Sequence, residues 1–382
     1  MDTDVATPAP AAALRQELEE WLDANLTPDV VAAGREGFED ESTFEVLRRW
    51  NKLLADAGWA AVSWPVEYGG RNASVEEQLA YLEVMAAAGA PGPVNVIGVA
   101  NIAPAILEAG TQEQKDRFLG PMLRGDEIWS QGMSEPDAGS DLGSLRTAAV
   151  VDGDHIVING QKTWNSLGQF ADWCQMYVRT DPDAPKHGGI SCLLVDMTTP
   201  GIEVRPLRTM TGEVMFSEIF LTDVRVPVSS MLGPLNGGWK VAMTTLSYER
   251  AGVAKLHLGL SARFEELVEE TRRSGVTVSP VARDRLAQLY SRIACLRWST
   301  ARELEAVGRG GRPSAAMGSL AKLMWAEISQ ELAGVALGLL GPGALDGPWS
   351  KSLVGSRGSS IAGGTSEINR NIVAEHGLGL PR

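Results

Sequence analysis

The sequence is poor in the residues from which disulfides and metal sites are built. The three cysteines are scattered and form no CxxC pair: Cys174, Cys192 and Cys295. An odd, dispersed set of this kind is not a disulfide framework, and it fits a reducing compartment best. The four histidines are far apart and show no metal-ligand spacing: His155, His187, His257 and His376. We therefore interpret the histidines as packed or solvated side chains.

Basic charge is also scarce. Lys and Arg number 34 against 48 Asp and Glu, which gives a net charge of −14, with the acidity concentrated in residues 1–128. Because proteins that hold nucleic acid through phosphates are usually basic, and anionic membranes repel an acidic surface, we expect neither as a partner. No uninterrupted apolar run reaches about 18 residues, and the acidic N-terminal segment does not resemble a secretory signal. We expect a cytoplasmic protein.

Familiar catalytic motifs are missing as well. The sequence contains no GxSxG, no HExxH and no GxxxxGK followed by Ser or Thr. The segment GPGALDG at 341–347 is not GxGxxG and follows no predicted strand, so a Rossmann site has little support.

Hydrophobic periodicity predicts the order α, then β, then α. Apolar residues recur at helical spacing in the first part of the chain, as at Leu14, Leu18 and Leu22. Thr111 is a plausible N-cap for a further helix there. After 233 the pattern predicts three long helices, the first from about 239 to 273, and a shorter terminal one, typical of an antiparallel bundle.

The middle of the chain has the texture of a β domain. Runs rich in strand formers at 190–197, 201–207 and 217–227 are separated by Pro, Gly and Asp turns. Tight turns are predicted at Asp152-Gly153 and at Asn159-Gly160. At roughly 150 residues per domain, the 382 residues indicate two or three domains. The α, β, α order favours three, in an α+β fold. These are an N-terminal helical domain at 1–128, a middle antiparallel β domain at 129–232 and a C-terminal four-helix bundle at 233–382.

Three segments could carry chemistry. WSQGMSEPDAGSDLGSLRT at 129–147 is a polar, Gly-rich loop able to wrap a phosphate or a heterocycle edge. NGQKTWNSLG at 159–168 is a strand end that presents Trp164 beside Ser166. In SSIAGGTSEINRNI at 359–372 a glycine pair precedes Thr365 at a helix start, which favours anion binding. Each segment alone is more commonly a turn, a packing contact or a capped helix.

Together and in this order, the segments resemble the acyl-CoA dehydrogenase family. The resemblance extends over nearly the whole chain and includes GWAAVSWPVEYGG (58–70), GTQEQKDRFLGPMLRGDEIW (110–129) and YER (248–250). It implies the three-domain α+β fold and an FAD-dependent enzyme that desaturates an acyl-CoA thioester between Cα and Cβ. In this family a carboxylate removes the α-proton and the β-hydrogen passes as hydride to flavin N5. The resemblance also implies an electron-transfer flavoprotein as acceptor.

The resemblance implies roles for particular residues of the cofactor site. Three residues are implied to line the pyrimidine side of the flavin: Gln131, Met133 and Ser134. Trp164 is implied to stack near the isoalloxazine, with Ser166 donating towards N5 and Asn165 between them contributing its backbone. Thr365 and Glu367 are implied to meet the pyrophosphate or the ribityl chain.

Four further positions are implied to contact the substrate: Ser140, Tyr248, Arg250 and Gly363. Ser140 would approach a phosphate or the pantetheine, and the Gly363 N–H would polarise the thioester carbonyl. Arg250 would orient the pantetheine or stabilise the fold. Tyr248 would line the pocket or serve packing.

The sequence departs from the commonest family pattern at the base. Many members place a Glu immediately before the Gly-Thr of the last motif, where this chain has Gly363. A minority carry the base on the first long C-terminal helix, directly before an Arg, and that position here is Glu249. Glu249 is therefore the predicted base.

A second departure concerns assembly. Homotetrameric members usually carry Arg-x-x-Phe-Gly and Gln-x-x-Gly-Gly-x-Gly, which reach a neighbouring subunit's FAD. Here 272–286 has no Phe-Gly, and Leu337 occupies the Gln position. The chain is thus either a homo-oligomer or half of an α2β2 heterotetramer with a related chain, as in family members that act on steroid side-chain CoA esters. Two alternatives stay open: a non-catalytic or half-site subunit, and a diverged flavin monooxygenase or nitroalkane oxidase.

Overall fold

The computed structural model describes residues 9–36, 41–251, 256–308 and 314–381. The predicted order of helices, sheet and helices is confirmed. Contacts divide the chain into two compact units. One comprises Gln16–Ala73 and Ala87–Tyr248, and the other joins Ser74–Ala86 and Glu249–Arg382 with the start of the chain up to Arg15. The domain boundaries at 128 and 232 stay predictions.

Six α-helices precede the sheet in the described residues. They are α1 (Ala9–Asn25), α2 (Pro28–Glu36), α3 (Glu41–Asp56), α4 (Val75–Ala87), α5 (Ala103–Ala109) and α6 (Gln112–Arg124), and a π-helical stretch (Ile97–Ile102) leads into α5. The predicted cap of α6 is confirmed, because Thr111 Oγ1 accepts from Gln114 N while Gln114 Oε1 accepts from Thr111 N. This reciprocal capping box satisfies two backbone donors at the helix start.

A single sheet occupies the middle of the chain. Its strands are β1 (Trp129–Gly132), β2 (Ala148–Asp152), β3 (His155–Ser166), β4 (Trp173–Arg179), β5 (Ile190–Asp196), β6 (Ile202–Leu207), β7 (Phe216–Pro227) and β8 (Met231–Leu232). The strand order is β6-β7-β3-β2-β4-β5-β8, with β1 paired to β4. The pairing is antiparallel except that β4 pairs parallel with both β1 and β2. The interpretation of 129–147 as a loop is wrong for its first four residues, because β1 pairs with β4 along its whole length.

The predicted turn at Asn159-Gly160 is also wrong, since both residues lie within β3 and the strand continues beyond them. Gly160 has φ +152°, and the pairing with β7 shifts register between Ile158 and Gly160, as in a β-bulge. A Cβ at Gly160 would lie 2.7 Å from Thr147 Oγ1. The Asn159 amide bonds Asp223 across the strands. The Asn-Gly pair therefore marks a close approach of strands, whereas the turn predicted at Asp152-Gly153 does join β2 to β3.

One face of the sheet carries the apolar core. On β4, Cys174, Met176 and Val178 belong to a fully buried cluster that also draws on β3, β5 and β7. Because side chains alternate along a strand, Gln175 and Tyr177 lie on the opposite face, where they are buried as well. The sheet is therefore covered on both faces at β4.

The remaining helices are α7 (Gly238–Ala251), α8 (Leu256–Ser274), α9 (Pro280–Gly308), α10 (Ala315–Leu340), α11 (Pro348–Gly355) and α12 (Ser366–Ile372). The helix predicted over 239–273 corresponds to α7 and α8, and residues 252–255 between them lie outside the described part. In the second unit, α10 shares an apolar cluster with α8, α9 and α11, and it also packs against α12. The predicted helical bundle is thus confirmed.

The apolar character of α10 belongs to this bundle. By length and composition alone, Ala315–Ala344 could cross a membrane. However, α10 buries Leu323, Ile328 and Leu332 against its neighbouring helices, together with the ammonium-bearing Lys322. We interpret it as the central helix of the bundle.

Candidate functional site

The end of β3 and the segment that follows β1 are joined by hydrogen bonds. Asn165 Nδ2 donates to Gln131 O at 2.7 Å, and Thr163 N donates to Ser134 O at 2.9 Å. Two segments more than 25 residues apart in sequence, each predicted to bind the cofactor, therefore lie side by side in the sheet unit. Their half-buried side chains share one edge of that unit.

Trp164 is the most unusual side chain of this edge. It is 55% exposed although Thr163 and Asn165 on either side are buried. Its φ is +60°, where the register between β3 and β7 shifts again, and its ring meets Phe216 edge-to-face at 5.7 Å. A non-glycine residue with positive φ is strained, and such strain concentrates at functional sites. The backbone thus holds a flat aromatic face outward at the strand end.

Several polar groups beside Trp164 have no hydrogen-bond partner among the residues that the structure describes. In the described part of the chain, Asn165 Oδ1 is buried without a hydrogen bond. The hydroxyls of Ser134 and Ser166 are half-buried, and neither makes a hydrogen bond among the described residues. An aromatic face flanked by free hydroxyls fits a planar heterocycle with a polar edge, which is the chemistry of a flavin. The residues present therefore fit the cofactor implied by the sequence.

A buried ion pair holds this edge together. Lys162 is fully buried, and its Nζ lies 2.8 Å from Glu135 Oε1 and donates to Met133 O at 3.2 Å. The Glu135 carboxylate also accepts from Thr147 N at 2.9 Å and Arg146 N at 2.6 Å. The pair thus links three parts of the sheet unit to one another: the segment that carries Met133, the residues just before β2, and β3.

The two charges support each other. Burial would raise the pKa of the Glu135 carboxyl, but the Lys162 cation and the N–H donors outweigh burial and hold this pKa below its usual value. Burial lowers the pKa of Lys162, and Glu135 opposes that shift. Sequence reasoning missed both residues. The available signal was Lys162 itself, a lysine in a strand whose alternate side chains enter an apolar core. A lysine buried at such a position requires a buried partner of opposite charge.

Of the predicted base and substrate residues, Ser140 and Tyr248 belong to the sheet unit, whereas Glu249 and Arg250 belong to the bundle unit. Ser140 is exposed, and its neighbour Asp141 bonds Lys186. Tyr248 is half exposed near the end of α7. Glu249 and Arg250 belong to the last turn of α7, but their side chains lie outside the described residues.

The bundle unit carries the remaining predicted residues at the start of α12. Gly363 and Gly364 have φ of +64° and +86°, which favours glycine at both positions. Thr365 is the N-cap, since its Oγ1 accepts from Ile368 N at 3.2 Å. The largely buried Lys322 donates from Nζ to Gly364 O at 2.7 Å. The hydrogen bond from Lys322 thus holds the glycine turn by the carbonyl of Gly364. Gly363 itself is exposed.

Glu367 follows in the first turn of α12 and is paired on the surface. Its carboxylate accepts from Arg370 at 3.2 Å. Burial lowers the pKa of the nearby Lys322, and the Glu367 charge partly opposes that effect. Glu367 is therefore partly neutralised by cations of its own unit.

Comparison with known proteins agrees with this organisation. Three family models match in sequence order: acyl-CoA dehydrogenase N-terminal domain over 9–126, middle domain over 130–224 and C-terminal domain over 236–378. The acyl-CoA dehydrogenase IpdE1 of Mycolicibacterium smegmatis is 39% identical, covering 96% of this chain and 97% of that protein.

Two solved structures are similar over almost the whole chain. The Tcur3481-Tcur3483 steroid ACAD matches with a TM-score of 0.87 and 33% identity, covering 98% of each chain. The ChsE4-ChsE5 complex from Mycobacterium tuberculosis matches with a TM-score of 0.84 and 33% identity, covering 99% of each chain.

Proposed function

This chain belongs to the acyl-CoA dehydrogenase family, and on that premise we propose that it catalyses FAD-dependent α,β-dehydrogenation of an acyl-CoA thioester with Glu249 as the base. It is an oxidoreductase with a flavin cofactor. The observation that carries the proposal is the outward-held Trp164 beside the hydroxyls of Ser134 and Ser166, which make no hydrogen bond within the described part of the chain.

The sheet unit would hold the isoalloxazine. Trp164 supplies an aromatic face, Ser166 a hydroxyl donor and Asn165 its backbone, because the Asn165 side chain is turned inward to Gln131. The half-buried Met133 completes this edge beside Ser134, and its carbonyl is held by Lys162 of the Lys162–Glu135 pair. FAD held at this edge would supply the acceptor for the β-hydrogen, which would leave the substrate as a hydride.

The α-proton requires a base and a polarised thioester. A Cα–H is weakly acidic, so charge must be stabilised on the carbonyl oxygen as the proton leaves. The exposed, left-handed Gly363 can donate its backbone N–H to that oxygen. Thr365 and Glu367 would meet the pyrophosphate or ribityl part of FAD at the same turn. Because Gly363 has no side chain, the base must come from elsewhere.

Glu249 supplies the carboxylate in this proposal. It lies in the last turn of α7, directly before Arg250, which would orient the pantetheine or stabilise the fold. Tyr248 precedes it, half exposed, and would line the pocket. Ser140 would contact a phosphate or the pantetheine from its exposed loop.

Replacement of Glu249 by glutamine tests the base directly. Glu249→Gln keeps the side-chain shape but cannot take the α-proton, so flavin reduction by acyl-CoA should slow by about 10³-fold or more. The measurement is anaerobic bleaching of flavin absorbance. Glu265→Gln, on the exposed surface of α8, is the matched control and should behave as wild type. Near-normal bleaching by Glu249→Gln would place the base elsewhere.

We further propose an α2β2 assembly in which a related chain completes the flavin site. The sequence lacks the segments that reach a neighbour's FAD, and Leu337, at the expected Gln position, packs against the bundle core. The exposed aromatic residues Tyr290 and Trp298 on α9 are suited to an interface with a partner chain. One FAD bound per chain in the purified single polypeptide would contradict this assembly and favour a homo-oligomer.

One of the similar solved structures supports a substrate class. Because a similar solved structure is a steroid ACAD, we propose a bulky, steroid-type acyl-CoA, with electrons passed in the cytoplasm to an electron-transfer flavoprotein. Anaerobic titration with short, branched, long and steroidal acyl-CoAs tests this, and steroidal thioesters should bleach the flavin at the lowest concentration. Selective bleaching by short linear chains would overturn the substrate class alone.

A further inference from the structure

A network of hydrogen bonds between polar side chains connects the sheet to α7. Gln175 and Tyr177 of β4 are fully buried on the sheet face opposite the apolar cluster. Both reach the same atom of α7: Thr245 Oγ1 lies 3.1 Å from Tyr177 Oη and 3.4 Å from Gln175 Nε2. Gln131 Nε2 in turn lies 3.4 Å from Gln175 Oε1. The network of hydrogen bonds therefore runs from β1, through β4, to α7.

The hydrogen-bonding capacities match. Burial holds the pKa of Tyr177 well above its usual range, so its hydroxyl stays protonated and can donate. Gln175 Nε2 is also a donor, and a threonine oxygen has two lone pairs to accept both. Because Thr245 is fully buried, losing its oxygen would leave Tyr177 and Gln175 with the Cys192 thiol, a weaker acceptor, in place of the shared oxygen.

Among the side chains of α7 that the structure describes, Thr245 is the polar one on the buried face. The other buried residues of this helix in the sheet unit are Gly238, Val241 and Ala242, which are small or apolar and carry no side-chain hydrogen-bonding group. A directional hydrogen bond fixes rotation and height of the helix in a way that these contacts do not.

The start of α7 is held separately. Asn236 N donates to Ser191 Oγ at 2.8 Å, and a Cβ at Gly238 would lie 2.5 Å from the Ser191 carbonyl carbon. The helix is thus held at its beginning by close backbone approach and two turns later by Thr245. One turn beyond Thr245, in the same helix, is position 249.

We propose that Thr245 is a positioning residue: by bonding Tyr177 and Gln175 of β4 it fixes the rotation and height of α7, the helix that carries Glu249 in its last turn. This inference rests on the proposed function. Proton transfer from Cα to the Glu249 carboxylate depends steeply on distance, and a misplacement of about 1 Å can slow a reaction about 100-fold. Thr245 would act through Glu249 without touching substrate or flavin.

The test uses Thr245→Val, which keeps the shape and removes the oxygen, and Thr245→Ser, which restores it. In the assembled holoenzyme, Thr245→Val should slow anaerobic flavin reduction at saturating acyl-CoA by about 10- to 100-fold. Exchange of the Cα hydrogen of bound thioester with D2O, read by mass spectrometry, should fall by the same factor. Flavin content and the dissociation constant of acyl-CoA should stay unchanged, and Thr245→Ser should recover most of the rate.

Two further variants keep the test decisive. Thr244→Val, the same substitution one position earlier at a half-buried site, should match wild type. Tyr177→Phe removes one partner of Thr245 from the strand side, and should also slow reduction and exchange if Thr245→Val does not fold.

Wild-type rates in Thr245→Val, or equal slowing in Thr245→Val and Thr245→Ser, would overturn the inference. Loss of flavin together with the rate would also overturn it, because the role would then be structural. The Glu249→Gln experiment separates the two proposals. If that variant is inactive while Thr245→Val is normal, only the positioning role is wrong. If Glu249→Gln is active, the base assignment itself is wrong.

Discussion

Replacing Lys162 by methionine removes one charge from a pair that is almost completely withdrawn from solvent. Side-chain exposure is 0% for Lys162 and 7% for Glu135. The substitution leaves a buried carboxylate with only the N–H donors of Arg146 and Thr147. Breaking one side of such a pair costs about 3–5 kcal/mol, because the remaining charge is uncompensated. We expect a loss of this size in the free energy of unfolding, with weaker retention of flavin.

Two variants calibrate this result. In the double variant Glu135→Gln/Lys162→Met the uncompensated charge is gone and a neutral acceptor remains for the backbone donors, so part of the loss should be recovered. Lys186→Met makes the same change in an exposed pair with Asp141, where both side chains are about half exposed. There the expected loss is at most about 1 kcal/mol.

Denaturant unfolding followed by circular dichroism and flavin fluorescence measures each variant. The reasoning is refuted if Lys162→Met unfolds within about 1 kcal/mol of wild type. It is equally refuted if Lys162→Met and Lys186→Met lose the same amount, since burial would then make no difference.

Two further predictions concern the same sheet. Because the pKa of Glu135 lies below its ordinary 4.5 in the folded state, the folded protein binds fewer protons than the unfolded chain there. The stabilisation is complete above that value and is lost as pH falls through the folded pKa. As pH falls, the free energy of unfolding should therefore decrease more steeply for wild type than for Glu135→Gln. Identical pH profiles for the two proteins would contradict the assignment. Gly160→Ala should destabilise by about 1–3 kcal/mol in thermal unfolding, because its Cβ would clash with Thr147. Gly153→Ala, also at positive φ but with open space around it, should cost less, and equal losses would rule out the clash.

Local patterns were sufficient for much of the fold. Helical periodicity, the Thr111 cap and the alternation of strand runs with turn residues predicted the α, β, α order, because each depends on residues close in sequence. The glycine turn before Thr365 was also visible, since left-handed backbone at a helix start favours glycine. Motifs in series were enough to indicate the family.

Local patterns were misleading where a distant segment decided the outcome. Asn159-Gly160 has the composition of a hairpin turn, but the close approach of Thr147 makes it a bulge within a strand. β1 was interpreted as loop because its pairing partner, β4, lies some 40 residues further along the chain.

The sequence by itself determined the order of elements, the family and the set of residues from which the cofactor site is drawn. Only the tertiary structure decided how these residues are held. Lys162 contacts Glu135, which is 27 residues away in the sequence, and Thr245 contacts Tyr177, which is 68 residues away. Such contacts follow from strand order and from which face each side chain occupies. Burial then makes them strong, because a polar group withdrawn from water must find its partner within the protein.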